Sequence, residues 1–349
     1  MHRLFFVLIL WSNWLSAAEV TGLYESRLPV MTQSVDERKQ MSPVILQQVL
    51  LKVVGSRGAL DTADLTSLLP KTTNLIEQYQ YYVTNIDSED LTAPETFDLW
   101  LRFNPTSLDA ELNRLNLPIW GHSRPEILIW LAIDDSGQRS MLGSDSENME
   151  IPLLLEQAAD NRGMPLLLPL MDLQDQEQLN FSDIWGDFSE PVLQASQRYG
   201  APVVLTGRMS RVAEDSWNIR WRSFYAGETE QWQSQGDMNS ALQAGIYVVT
   251  DSLADRFTQL TQNQNEQSIT LQVSGVNNFT DYSRVLDYLK KLQSASDVRV
   301  TEIDKAQLTV SLNYAGQAEA LNELISIGRI LEKDFIGTQT EVLGYRLLP

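Results

Sequence analysis

The chain has 349 residues, 43% hydrophobic and 21% charged, a composition typical of a globular protein with room for two or three domains. Its 46 acidic and 26 basic residues give a formal net charge of −20, opposite in sign to that of proteins that coat nucleic acid or bind anionic membranes. With no cysteine, the sequence excludes disulfides, cysteine nucleophiles and thiolate metal sites.

The first residues predict an export signal. Arg3 gives a cationic start, residues 4–11 form an apolar run, and Ser16 to Ala18 supply the small residues of a cleavage site. The apolar run is much shorter than the roughly 20 residues that span a bilayer. No cysteine follows it for lipid attachment. We therefore expect a periplasmic protein that starts at Glu19, with a cleaved signal peptide over residues 1–18 and no transmembrane segment or lipid anchor.

Residues 19–140 are predicted to form an N-terminal α/β domain. Ser34 and Glu37 have the spacing of a capping box, which opens an amphipathic helix that ends near Gly55. Pro43 marks a boundary or kink within this helix. Strands are predicted over residues 19–30, 78–84, 97–103 and 126–133, and further helices over residues 63–69 and from Pro105. Residues 137–146 have the composition of a linker.

Two further units follow. Residues 147–262 are predicted to form a middle α/β domain, with helices over 148–161, 190–199 and 240–260, strands over 164–170 and 203–209, and a hairpin over 217–235. Residues 267–349 have the order strand, helix, strand, strand, helix, strand, which is the βαββαβ order of a ferredoxin-like fold. The predicted class is thus mixed α/β and α+β, with two mixed α/β units before a ferredoxin-like unit.

Several segments resemble an uncharacterised family of exported bacterial proteins, domain of unknown function 2066. The segments are EVTGLY at 19–24, VLLKVVGSR at 49–57, LPIWGHSRP at 117–125, NRGMPLLLPLMD at 161–172 and ASQRYGA at 195–201. The resemblance implies an exported protein of Gram-negative bacteria and provides no catalytic residues to transfer.

A weaker resemblance concerns YGAPVVLTG at 199–207, which is similar to the α/β domain of envelope lipoproteins that assist curli secretion or activate penicillin-binding proteins. The lipidated cysteine of those proteins is absent here.

Few catalytic arrangements remain open to this sequence. It has no Gly-x-Ser-x-Gly elbow, neither of the common phosphate-binding glycine loops and no EF-hand calcium loop. After removal of the signal peptide, His122 is the single histidine, so a two-histidine metal site is excluded. A pair of carboxylates, as in glycoside hydrolysis, stays possible. We expect no cofactor and no metal.

Trp120, His122 and Arg124 form the densest candidate site, on a loop between a predicted helix and a buried strand. His122 could transfer a proton and Arg124 could bind an anion. The alternative is a rigid connector in which Trp120 fills the core and Pro125 fixes the entry of the strand. Without a located base, the pattern favours the connector.

Arg208, Arg211, Arg220 and Arg222 form the second candidate site. Alternation places Arg220 and Arg222 on one face of a strand, with Arg208 beside them on the neighbouring strand. An anionic partner surface is one interpretation, and pairing with nearby carboxylates is the other. Trp217 and Trp221 lie on the opposite face, where a core position is more typical than a sugar platform.

Three hypotheses about function follow. The first is a non-enzymatic binding or adaptor protein for envelope assembly or maintenance, whose partner is another envelope protein and not nucleic acid. The second is a carboxylate-dependent glycan hydrolase, and the third is a glycan-binding module that uses exposed tryptophans. Paired carboxylates in a cleft would favour the hydrolase, and an open groove with a flat tryptophan face would favour glycan binding.

Overall fold

The computed structural model describes residues 20–84, 96–144, 149–261, 266–292, 295–316, 318–328, 330–334 and 342–348. Within these residues the chain forms three β-sheets that follow one another along the sequence, each with helices packed against it. The predicted class, mixed α/β units followed by a ferredoxin-like unit, is confirmed. The predicted signal peptide lies outside the described residues.

The first sheet is antiparallel, with strand order β1-β3-β2. Its unit contains β1 (Glu25–Val30), α1 (Val35–Val54), α2 (Arg57–Asp61), 3₁₀ turns at Leu65–Ser67 and Leu69–Lys71, α3 (Thr72–Leu75), β2 (Ile76–Val83), β3 (Phe97–Phe103) and α4 (Pro105–Arg114). The alternating residues of β3 bury every second side chain, as predicted, and the apolar side of α1 covers that face.

The predicted capping box at the start of α1 forms in part. Ser34 Oγ accepts from the Glu37 amide at 3.2 Å, as predicted. The Glu37 carboxylate accepts instead from the amides of Met31 (2.9 Å) and Thr32 (2.7 Å), and Thr32 Oγ1 takes the Ser34 amide at 3.3 Å. α1 continues through Pro43 to Val54, since tertiary packing of the apolar stripe outweighs the lost hydrogen bond.

The second sheet has the order β5-β4-β7-β8-β9, with β6 also paired to β4. Its strands are β4 (Ile127–Asp135), β5 (Gln138–Met141), β6 (Leu166–Leu167), β7 (Val203–Ala213), β8 (Ser216–Tyr225) and β9 (Glu228–Gly236). Its helices are α5 (Glu150–Asp160), α6 (Leu173–Gln178), α7 (Phe181–Trp185), α8 (Ser189–Ser196), a 3₁₀ turn at Gln197–Tyr199, and α9 (Met238–Thr261).

Strand β4 lies in the second sheet and not in the first, which differs from the predicted domain boundary between residues 140 and 147. β4 pairs in parallel with β7, and the predicted linker contains β5, which returns along β4 as a hairpin. All residues from Ile127 to Ile133 are buried because helices cover both faces of the sheet. The physical boundary of the first unit therefore precedes β4.

The third sheet has the order β11-β12-β10-β14-β13, with β10 and β14 parallel and the other neighbours antiparallel. Its elements are β10 (Glu266–Ser274), α10 (Phe279–Lys291), β11 (Ala295–Asp304), β12 (Gln307–Ala315), α11 (Ala318–Ile327), β13 (Leu331–Lys333) and β14 (Val342–Leu347). The strand order is the ferredoxin-like one, to which the unpredicted strand β13 adds an edge. Because β13 comes between α11 and β14 in the chain, β14 runs parallel to β10, whereas neighbouring strands of a ferredoxin-like sheet are antiparallel.

The cores connect the last two units more closely than the first. One hydrophobic cluster runs from the second sheet and α9 into the ferredoxin-like unit, whereas the first sheet and α1 have a core of their own. A third, smaller cluster lies beneath α7 and α8 on the opposite face of the second sheet. No helix among the described residues has both the length and the apolar character needed to cross a bilayer.

Candidate functional site

The connector that carries Trp120 lies where the first unit meets the second. Trp120 is 1% exposed and stacks on Phe257 of α9, with the ring centroids 5.9 Å apart. Gly55, which ends α1 at φ +78°, lies directly against the indole, and a Cβ there would clash with it. Trp120 therefore fills the junction and is unavailable to a ligand.

Arg124 is buried beside Trp120 and binds only main-chain oxygens. Its guanidinium lies 4.4 Å from the Trp120 ring centroid. It donates to the carbonyls of Gly121 (3.1 Å), Trp120 (2.9 Å), Arg162 (2.7 Å), Gly163 (3.1 Å) and Lys52. Burial, together with the charge of Arg162, lowers the pKa of Arg124 to about 9, so it stays protonated at neutral pH. The N–H groups of Arg124, which the sequence suggested could bind an anion, instead connect three segments of the chain.

Arg162 and Asp251 complete this junction, and sequence reasoning missed both as site residues. Arg162 is fully buried and donates to Asp251 Oδ1 at 2.6 Å and to the Gly55 carbonyl. Arg57 donates to the other oxygen of Asp251 at 2.6 Å. Burial lowers the pKa of Arg162, and Asp251 acts in the opposite direction. The one feature of the sequence that could have marked Arg162 as a site residue is that no other basic residue lies between residues 145 and 190.

We call Arg57, Trp120, Arg124, Arg162 and Asp251 the junction cluster. Its charged groups bind one another and backbone carbonyls, which is typical of a structural clamp, although Arg162 Nε and Trp120 Nε1 are buried without a hydrogen-bond partner among the described residues. His122 lies beside it, half-buried, with Nδ1 3.0 Å from the Val20 carbonyl oxygen. The geometry of Trp120 and Arg124 therefore fits the rigid-connector interpretation, and we remove both from the ligand-binding candidates.

Three arginines of the second candidate site lie on one face of the second sheet, and the fourth, Arg211, pairs with Asp135 at 2.5 Å. Alternation along β8 buries Trp217, Ile219 and Trp221 against α9, as predicted, and turns Arg220 and Arg222 to the other face. Trp217 and Trp221 are 3% and 2% exposed, which excludes them as sugar platforms. Arg208 of β7 is the cross-strand partner of Arg220, so the register brings these two residues together.

Helices α7 and α8 cover only part of this face. They pack over its apolar end, where Leu128, Trp130 and Val204 form the small core cluster. Beyond the end of α7 the face is open and forms a groove of about 440 Å³, which we call the sheet groove. It is lined by Trp185, Arg208, Ser210, Val212, Asn218, Arg220 and Gln233.

The arginines of this face differ in what they bind. Arg222 pairs with Asp187 at 2.6 Å and donates to the Asp187 carbonyl at 3.2 Å. Arg208 donates to the Trp185 carbonyl at 3.0 Å and lies 3.8 Å from the Asp187 carboxylate. Arg220 is exposed and has no hydrogen-bond or ion-pair partner among the described residues. Arg222 is thus paired with a carboxylate, which was the second of the two interpretations. Of these three arginines, only Arg220 has a guanidinium that is free, among the described residues, to bind another molecule.

The sheet groove offers donors and no acid–base pair. None of its described lining residues is an aspartate, glutamate or histidine. Across the described parts of the chain, no three such side chains are close enough together to hold a metal ion. The groove can therefore bind an anionic group through two guanidinium groups, with Trp185 and Val212 as apolar contacts.

Comparison with known proteins gives a family match over part of the chain. Residues 17–121 match a domain of unknown function, DUF8605, and not the domain of unknown function 2066 that the sequence resembles. The matched segment ends before β4, at the physical boundary of the first unit. A search of curated proteins finds no match.

Similar solved structures include the LpoB C-terminal domain from Salmonella enterica, at 17% identity and a TM-score of 0.23, covering 32% of this chain and 82% of that one. A competence or damage-inducible protein from Enterobacter asburiae has 12% identity and a TM-score of 0.23, covering 43% and 94%. Lipoprotein GNA1162 from Neisseria meningitidis has 12% identity and a TM-score of 0.20, covering 39% and 99%. These scores are too low to support a statement about function.

Proposed function

We propose that this chain is a non-enzymatic binding protein of the bacterial envelope, and that the sheet groove binds an acidic segment of another envelope protein. The observation that carries the proposal is Arg220, an exposed guanidinium without a partner among the described residues, in a groove whose described lining holds no carboxylate. The whole chain has a net charge of −20, so a positively charged groove is a local exception to the overall negative charge.

The register of the sheet supports an anionic occupant. Arg208 and Arg220 are cross-strand partners, and like charges in that position repel each other. Asp187 offsets this only in part, because its carboxylate is 3.8 Å from Arg208 and 2.6 Å from Arg222. A carboxylate placed between Arg208 and Arg220 would remove the repulsion and accept from both side chains.

The composition of the groove supports a protein partner. Tryptophan and arginine are the residue types that most often contribute strongly to protein–protein binding, and Trp185 lies beside the two arginines. Val212, 54% exposed, also lines the groove and adds apolar area. An acidic segment with one or two apolar side chains fits this lining.

The envelope location is part of the same proposal and rests on residues 1–18. We expect the mature chain to begin at Glu19 and to be released with the periplasmic fraction. Mass spectrometry of the N-terminus tests this directly. Retention of Met1, or a membrane pellet that resists carbonate, would contradict it.

Site-specific photocrosslinking in intact cells tests the groove. A photoreactive residue at Gln233, which lines the groove, is compared with one at Glu302, exposed on β11 of the third sheet. We expect a discrete adduct from position 233 that is lost in the Arg220→Glu variant and absent from position 302. Equal adducts from both positions, or an adduct that is indifferent to Arg220→Glu, would refute the proposal.

A further inference from the structure

A second open space lies between the first two units, away from the sheet groove. It is a cleft of about 670 Å³ between the first sheet and the end of α5. Its polar walls include Glu25, Arg27, Lys52 and Asp160, and Tyr82 and Trp100 are its aromatic residues. We call this space the Lys52 cleft. The junction cluster holds the two units together beside it.

Lys52 is placed to donate into the cleft. It lies in the last turn of α1, and its Nζ donates to the Glu25 carbonyl oxygen at 3.1 Å. An ammonium group has three donors, and the described residues supply no second hydrogen-bond acceptor. Burial lowers the pKa of Lys52, although Asp160 and Glu25 act in the opposite direction. Two of its N–H groups are thus available to a ligand.

The charges that line the cleft balance. Two are acidic, Glu25 and Asp160, and two are basic, Arg27 and Lys52. Arg102 binds Oε2 of Glu25 at 2.8 Å, which leaves Oε1 without a hydrogen-bond donor among the described residues. Asp160 is exposed. An anion in the cleft would face the two carboxylates and a cation would face the two bases, so the lining favours a neutral ligand that both donates and accepts.

Aromatic surface lies beside these polar groups. Trp100 of β3 and Tyr82 of β2 are on the face of the first sheet that is turned away from α1. Trp100 is half-buried, and Tyr82 is 42% exposed. Side chains of this kind offer an apolar ring next to a polar group, which suits the C–H face of a sugar.

We propose that the Lys52 cleft binds a neutral saccharide, with its hydroxyl groups between the acidic and basic side chains and a sugar ring against Trp100. Each sugar hydroxyl donates one hydrogen bond and accepts others, so it can satisfy Lys52 and a carboxylate at once. The proposal does not depend on the sheet groove, because the two sites share no lining residue.

Isothermal titration with maltotriose and with N,N′,N″-triacetylchitotriose tests this. We expect at least one of the two to bind the full chain, and Trp100→Ala to weaken binding about tenfold, the size of one aromatic contact. Asp160→Asn, at an exposed position where folding is not at risk, should weaken it severalfold. Phe279→Ala is the matched control, since Phe279 is 79% exposed on the third unit and lies outside the cleft lining.

Three results would overturn the proposal. The first is that neither sugar binds at millimolar concentration. The second is that binding is the same in the wild type, Trp100→Ala and Asp160→Asn. The third is that a neutral glycine–serine hexapeptide binds the cleft and the sugars do not, which would make the ligand a peptide.

Discussion

Replacing Asp251 by asparagine should destabilise the protein far more than removing a surface charge. The Asp251 carboxylate accepts hydrogen bonds from the buried Arg162 side chain at 2.6 Å, from the Arg57 side chain at 2.6 Å and from the Arg57 backbone amide at 3.1 Å. Arg162 has no exposed surface, so the neutral amide leaves a buried guanidinium without its charged partner, and it offers one acceptor oxygen where the carboxylate offers one to Arg162 and one to Arg57. This is the condition under which breaking an ion pair is costly.

The expected cost follows from the burial of the two partners. Removing one member of a buried pair typically costs about 3–5 kcal/mol. Because the Asp251 side chain is 21% exposed, we take the lower end, about 3 kcal/mol. At roughly 2–3 °C per kcal/mol, the melting transition should fall by about 6–9 °C.

The matched control is Glu332→Gln, which removes one charge from an ion pair of the same length. The Arg346–Glu332 pair is also 2.6 Å long, but its side chains are 61% and 53% exposed. An exposed ion pair contributes about 1 kcal/mol or less to the free energy of unfolding, so the melting temperature of the Glu332→Gln variant should barely change. Differential scanning calorimetry of both variants measures the difference. Equal, small shifts would refute the view that the junction cluster clamps the first two units.

The other predictions concern single contacts. His122→Ala should leave partner binding unchanged and cost about 1 kcal/mol or less, because the ring makes one hydrogen bond to the Val20 carbonyl; loss of binding with normal folding would contradict this. Arg198 holds the pKa of Asp172 at about 2, below the ordinary 3.8. Asp172 therefore stabilises the fold above its ordinary pKa and loses this effect as the pH falls to about 2. The melting temperature of the Asp172→Asn variant should accordingly be lower than that of the wild type at pH 7 and equal to it at pH 2. A difference in melting temperature that persists at pH 2 would count against the pairing. Arg222→Gln should lower the melting temperature, since it breaks the 2.6 Å pair with Asp187, and an unchanged transition would show that the pair adds nothing. Residues 267–349 expressed alone should melt cooperatively in calorimetry, because they contain the complete ferredoxin-like order; a broad, non-cooperative transition would contradict independent folding.

Local patterns in the sequence were enough to predict the faces of the sheets. The alternation at Trp217, Ile219 and Trp221 predicts their burial and the opposite orientation of Arg220, because a strand turns successive side chains to opposite faces. The order of elements after residue 267 predicts the ferredoxin-like topology. Such features depend on neighbours in the chain, which a single sequence displays.

Pairings between distant segments were not predictable. The unbroken apolar run of β4 indicates a buried strand, but nothing local shows that its partner is β7, some 70 residues later. The linker composition of residues 137–146 therefore predicts a domain boundary after β4, although the structure has it before β4. Arg222 meets Asp187 across 35 residues. The short helices α6 and α7 were missed because five or six residues carry little periodicity and depend on tertiary contacts for stability.

Both candidate sites depend on such distant contacts. Trp185, at the end of α7, closes one side of the sheet groove that Arg208 and Arg220 line. The Lys52 cleft joins β1, the end of α1 and the end of α5, so its charge balance appears only once Glu25, Lys52 and Asp160 share one space. Residue types gave no signal for the Lys52 cleft, since its two acidic side chains are among 46 in the chain; for the sheet groove, alternation indicated Arg208 and Arg220 but not Trp185.

The most direct test of the central proposal is how the adduct formed at Gln233 depends on the side chain at position 220. Because Arg220 has no partner within the described structure, Arg220→Gln should reduce the adduct severalfold while the melting temperature stays within about 1 °C, and Arg220→Lys should retain part of it. A full adduct in Arg220→Gln, or a loss of adduct accompanied by unfolding, would contradict the assignment of the sheet groove as a binding site.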